Sequence, residues 1–281
     1  MKPPLLFERV GIVGLGLIGG SLARALRTVD QGPHIVAFNR NREEADRALA
    51  EGVIDAVASS PEEAVEGRDL VVYAAPLDVI RKMMRTAAER WGEATVTDVA
   101  GLKQPLMREA AAVGCASHFV GSHPMAGGTA SGYKASGADL FSGETVFVCG
   151  GGADAERVVA VQSMWQALGA VVRPIEAGAH DRLMVWASHL PQVVSNVVAR
   201  AMAEAGLHVA DLGPGGRDLT RLAESSPEVW TGLLDEASEE NMRAIECIQS
   251  GLEAVHEALS ERSMETVAEL MRETRGWRRG G

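Results

Sequence analysis

The chain has 281 residues, 46% of them hydrophobic, and exceeds the length at which a single hydrophobic core usually stops growing, so two domains are expected. Its 27 basic against 38 acidic residues leave a formal charge of -11, which repels a phosphate backbone and argues against a nucleic-acid partner. The three cysteines, Cys115, Cys149 and Cys247, are widely spaced and odd in number, so neither a disulfide framework nor a metal site is expected. No apolar run reaches membrane-spanning length, and the first residues enter an apolar strand without the marks of a secretory signal. A reducing cytoplasm is the expected compartment.

From the start to about residue 176, short β-branched runs alternate with amphipathic stretches. In chain order these read as strand 9–13, helix 21–27, strand 34–38, helix 42–51, strand 70–74, helix 79–91, strand 95–98, helix 105–112, strand 119–121, strand 145–149, helix 155–168 and strand 170–175. Strands separated by crossover helices return in one direction, so the pattern predicts a parallel sheet. After residue 176 the strand signals stop, and a helical pattern runs from 177 to about 205. Pro191 lies in its middle and cannot donate to the carbonyl of Ala187, which predicts a kink. Met242, Ile245, Ile248, Leu252, Val255 and Leu259 recur at spacings of three and four, a narrow apolar seam for packing on another helix. That helix can belong to the same chain or to a second subunit. Residues 272–281 are basic and glycine-ended, and are expected to fray. The expected division is a dinucleotide-binding domain over 1–176 and a helical domain over 177–281.

Gly14, Gly16 and Gly19 spell GLGLIG directly between a strand and a helix that carries Leu17 and Ile18 in its opening turn. The first glycine permits the turn, the second admits a pyrophosphate, and the third lets helix and strand pack closely. At the end of the second strand, where NAD enzymes carry an acidic residue for the ribose, the chain reads Asn39, Arg40, Asn41, Arg42. Paired guanidinium donors suit a 2′-phosphate, so NADP is favoured with NAD still open. Arg40 and Arg42 can equally be solvated residues opening the next helix.

GSHPMAGG, residues 121–128, lies where α/β sheets place their ligands. His123 there is a candidate general base, since its ordinary pKa lies near neutrality, or a loop histidine satisfied by backbone.

GLGLIGGSLARAL, VTDVAGLK, GSHPMAG, HD at 180–181, SHLP and GGRDLTRLAESSPEVW follow one another in this order, and the set resembles the prephenate and arogenate dehydrogenases of tyrosine biosynthesis. The resemblance covers residues 10–230 and implies a Rossmann-type domain, a mostly α-helical dimerisation domain, and a homodimer whose active sites share residues. It implies oxidative decarboxylation of prephenate or arogenate with hydride transfer to NAD(P), in the manner of the minimal, single-function members. His123 then matches the catalytic base, Arg221 the residue that binds a substrate carboxylate, and Ser188 and His189 the SH pair of the interdomain helix. Gln192 shares a face with Ser188, Trp230 matches an aromatic that closes the neighbouring subunit's site, and Asp98 and Lys103 are placed near the nicotinamide. Asp181 reads as a helix-opening charge.

Three positions depart from the family pattern. Gly101 stands where many relatives have a serine that orients the histidine, Gln192 replaces a second histidine, and Thr129 stands where a glutamate is frequent. The last two losses fall near the substrate tail and relax a preference for prephenate over arogenate. Two other readings stay open: a β-hydroxyacid dehydrogenase, which requires a helix lysine that 177–205 lacks, and a non-catalytic NADP sensor.

Overall fold

The computed structural model describes residues 5–127 and 130–280. In chain order the first part comprises β1 (Arg9–Val13), α1 (Leu17–Arg27), β2 (His34–Phe38), α2 (Arg42–Ala50), β3 (Ala56–Val57), α3 (Pro61–Val65), β4 (Leu70–Tyr73) and α4 (Leu77–Ala87). It continues through β5 (Thr95–Asp98), α5 (Gln104–Ala112), β6 (Phe119–Pro124), β7 (Thr145–Cys149), α6 (Ala155–Ala167) and β8 (Val171–Pro174). The eight strands form one sheet in the order β3-β2-β1-β4-β5-β6-β7-β8. The order reverses between β1 and β4, the switch point at which such sheets open a crevice beyond their carboxyl ends.

Every residue of β4 is buried, with Leu70 and Val72 in one core layer and Val71 and Tyr73 in the other. Helices cover both faces, which is why these strands read as continuous apolar runs. On α1, Leu22 and Leu26 are wholly inside, each burial stabilising the fold by about 2 kcal/mol. β3 and α3 escape the sequence pattern because elements of two and five residues carry no periodicity.

One expectation is corrected. β6 pairs with β7 antiparallel, with His123 opposite Phe147, so the sheet is parallel except at this junction. Among the described residues the segment between them contains no crossover helix, and two strands joined without one run in opposite directions. β6 also extends through Pro124, which puts His123 on the strand itself.

The second part is helical: α7 (Ala177–Met184), a π-helical turn (Val185–His189), α8 (Leu190–Glu204), α9 (Pro214–Thr220), α10 (Pro227–Glu236), α11 (Ser238–Ser260) and α12 (Met264–Arg278). The π turn is the structure's answer to Pro191. The N–H of Leu190 reaches back to the Val185 carbonyl, so one extra residue is accommodated just before the proline. α12 continues through Arg278, correcting the expected fraying from 272, and an Arg272–Glu265 ion pair of 2.6 Å links its turns. No helix among the described residues is long and apolar enough to cross a membrane.

Candidate active site

Gly14 adopts φ +106°, and a side chain there would collide with the Ala74 carbonyl, while one at Gly19 would collide with the Gly14 carbonyl. Gly16 differs: a Cβ there meets nothing within 4 Å, so the space beyond the turn is open where α1 begins. Positive helix-end N–H groups facing open space suit a pyrophosphate. Gly16, Leu17 and Ile18 line a cleft of about 620 Å³ whose far wall is the helical part. The strand-to-helix glycine turn and its cradle thus fit a dinucleotide.

The four polar residues after β2 divide by role. Asn41 caps α2, accepting the Glu43 N–H at 3.1 Å, and Arg42 pairs with Asp46 at 2.8 Å. Asn39 ties the glycine turn to the strand end, its Oδ1 accepting the Leu15 N–H at 3.1 Å and its amide donating to Glu44 at 2.9 Å. Arg40 is exposed and forms no ion pair among the described residues.

His123 lines the same cleft, opposite Ser188, His189, Arg221 and Trp230. Its Nδ1 lies 2.9 Å from His180 Nε2, and His180 Nδ1 lies 2.8 Å from Asp181 Oδ1. Burial holds the His123 imidazole well below the usual histidine pKa, and Lys103, His180 and His189 act in the same direction. A neutral imidazole beside open space can accept a proton at neutral pH.

Asp98 and Lys103 were expected beside the nicotinamide, and the structure corrects this. Both are wholly buried as an ion pair beneath β6, outside the cleft lining. Lys103 Nζ also donates to the Ser122 carbonyl at 2.5 Å, and Asp98 accepts the Ser122 N–H at 3.2 Å and the Ala100 N–H at 2.8 Å. The Ser122 hydroxyl in turn accepts from Trp165 at 3.0 Å. These contacts clamp the backbone one residue before His123. Burial pushes the Asp98 carboxyl pKa up, while Lys103 and the two amides pull it down.

Asp181 is not a charge opening its own helix. It sits within α7 and accepts the N–H groups of Lys103 at 2.7 Å and Gln104 at 2.8 Å, capping α5. Gln192, expected to touch substrate, is buried outside the cleft and donates to Asn196 and to the Leu222 carbonyl, each at 2.7 Å. It therefore holds the turn beside Arg221. Ser188 and His189 ride on the π turn. His189 is buried, its Nδ1 3.2 Å from Asn241 Oδ1 and its ring edge-on to Trp230 at 6.0 Å. Trp230 stands in the cleft of its own chain; α10 lays it there as Leu233 packs over Gly101. Arg221 is exposed, lines the cleft, and forms no ion pair among the described residues. Thr129 lies outside the described residues.

The site residues missed by sequence reasoning are His180 and Asn241. Both act between elements distant in sequence, where no spacing reports them; the adjacent HD pair was the one available hint for His180.

Comparison with known families decides the relationship. Residues 22–173 match the model of the prephenate dehydrogenase nucleotide-binding domain, and residues 176–273 match the prephenate dehydrogenase dimerization domain. The chain belongs to the prephenate dehydrogenase family. Within that family it is 31% identical over 239 residues to the prephenate dehydrogenase of Bacillus subtilis, covering 81% of this chain and 63% of that protein. The chain thus spans less than two thirds of that relative's length. A crystal structure of prephenate dehydrogenase from Aquifex aeolicus, in complex with hydroxyphenyl propionate and NAD+, superposes with a TM-score of 0.88 at 28% identity, covering 96% of this chain and 97% of that one. Synechocystis arogenate dehydrogenase superposes with a TM-score of 0.80 at 25% identity, covering 96% and 98%.

Proposed function

We propose that the chain is an NAD(P)-dependent dehydrogenase that oxidatively decarboxylates prephenate or arogenate. The observation that carries this is one cleft holding the glycine turn on one wall and His123, Ser188, His189 and Arg221 around the other. The named activities of the relatives support the same reading.

Gly16, Leu17 and Ile18 would hold the dinucleotide, which when bound supplies a hydride acceptor. His123 takes the proton of the substrate's ring hydroxyl as the carbon bearing it gives up its hydrogen with both electrons. The ring carboxylate then leaves as carbon dioxide, its bonding pair entering the ring to make it aromatic. Arg221 holds a substrate carboxylate by charge-assisted hydrogen bonds, and Trp230 limits water at the reacting ring.

NADP is proposed as the preferred nucleotide, because exposed Arg40 stands at the end of β2 and positions 39–42 carry no carboxylate. The apolar seam of α11 supports a homodimer: Met242, Leu252 and Leu259 are more than half exposed in the single chain.

The deciding experiment is a steady-state matrix of prephenate and arogenate against NAD and NADP, followed by reduced-nicotinamide absorbance. Turnover with at least one pair, fastest with NADP, is expected; no turnover with any pair removes the assignment. His123→Ala is expected to lose turnover yet bind nucleotide, whereas a nucleotide sensor would lose nothing.

A further inference from the structure

We propose that His180, backed by Asp181, is a positioning residue that fixes the tautomer of His123 and leaves its Nε2 lone pair facing the cleft. This rests on the reading of His123 as the base. The Asp181 carboxylate already receives the N–H groups of Lys103 and Gln104 at 2.7 and 2.8 Å, so it is anchored as an acceptor at the start of α5. Its Oδ1 lies 2.8 Å from His180 Nδ1, and a carboxylate can only accept, so the His180 proton sits on Nδ1. In the tautomer carrying its one proton on Nδ1, His180 offers a lone pair at Nε2. That lone pair is 2.9 Å from His123 Nδ1, which must donate to it. With Nδ1 protonated, neutral His123 carries its free lone pair on Nε2.

The surroundings hold this arrangement still. His180 is wholly buried, edge-on to His123 at 5.1 Å and to Phe147 at 5.4 Å. Gly101, where the family resemblance places an orienting serine, carries no side chain, and Leu233 packs against it. The imidazole is thus aimed from the helical part of the chain instead of from the loop after β5. When His123 takes a proton at Nε2 it becomes an imidazolium whose Nδ1–H still donates to His180. No proton moves along the chain, and Asp181 and His180 stay as they were. The other charged or titratable groups around His123 are Lys103 with its partner Asp98, His189 on the π turn, and Arg221 across the cleft.

The test is nitrogen NMR on the full chain labelled with 15N-histidine, at about pH 8 where free histidine is neutral. The His123 signals are assigned by their loss in His123→Gln. The expected spectrum of the unmodified protein shows His123 protonated at Nδ1, and His180→Phe shifts it toward the Nε2–H form. With the substrate found by the steady-state matrix, His180→Phe is expected to lower kcat by about tenfold to a hundredfold while KM and nucleotide affinity stay within about twofold. An Nε2–H form in the unmodified protein, or an unchanged tautomer in a folded His180→Phe, overturns the proposal. Should that variant fail to fold, the spectrum of the unmodified protein decides alone. Absence of turnover with every substrate would instead remove the proposed function, leaving the tautomer result standing.

Discussion

Leu233 on α10 roofs Gly101 so closely that a methyl group on the glycine would come within 3.2 Å of Leu233 Cδ1. A side chain at 101 would therefore have to push Leu233 back by a few tenths of an ångström. Gly101→Ser is expected to destabilise the protein by about 1 kcal/mol, within the range for inserting atoms into a packed contact. In a Leu233→Ala background that penalty should vanish. A double-mutant cycle by urea unfolding checks it, and additive penalties would show that Leu233 does not set the limit.

Lys103 and Asp98 neutralise each other with no exposed surface on either side chain. Removing one partner leaves a buried charge uncompensated. Lys103→Met is expected to cost about 3–5 kcal/mol in unfolding free energy, with Asp98 taking up a proton in response. Denaturant midpoints measure the loss; a change under about 1 kcal/mol would mean the pair contributes little to holding β6.

The sheet was largely legible because its evidence is local. Arg9–Val13, His34–Phe38, Thr95–Asp98 and Thr145–Cys149 are bounded by turn residues and rich in β-branched side chains, and each is a strand over those residues. The antiparallel turn of β7 was not legible, since direction depends on what the segment before it does in space. At the site, Gly14, Gly16 and Gly19 declare themselves by their position between strand and helix. Asp98 and Lys103 misled because adjacency to a motif says nothing of burial; a lysine at 0% exposure is a tertiary fact. Gln192 misled differently: Ser188 lines the cleft but Gln192 does not, and its amide is taken by the Leu222 carbonyl.

Acid should weaken the fold through its histidines. Burial lowers the pKa of both His123 and His189 in the folded chain. Below the ordinary histidine value of about 6.5 the unfolded chain binds protons that the folded one refuses, so stability falls as pH drops from there toward the lowered values. Above about 6.5 neither histidine contributes any slope. The slope is at most about 1.4 kcal/mol per pH unit for each histidine. Unfolding free energy measured from about pH 8 to 5 is expected to show this limb, shallower in His123→Gln. Equal slopes in both proteins would mean His123 titrates normally.

Arg221 is expected to act on substrate and hardly on stability, because it is exposed and forms no ion pair among the described residues. Arg221→Ala should lower kcat/KM by about 10- to 100-fold, the range for losing a charge-assisted hydrogen bond to a carboxylate. Its melting temperature should match the unmodified protein. Unchanged kcat/KM would place the substrate carboxylate elsewhere in the cleft.

Leu252 tests the proposed assembly. It is 65% exposed in the single chain, near the middle of the 23-residue helix α11 and in line with Ile248, Val255 and Leu259. Water on such a seam is costly, and a second copy laid against it would bury the whole stripe at once. An arginine at this position would put a charge into that contact while leaving the sheet core untouched. Leu252→Arg is therefore expected to shift sedimentation from dimer to monomer, with the near-ultraviolet signature of the buried pair Trp91 and Trp165 retained. A dimer of unaltered strength in the variant would move the interface off this face of α11.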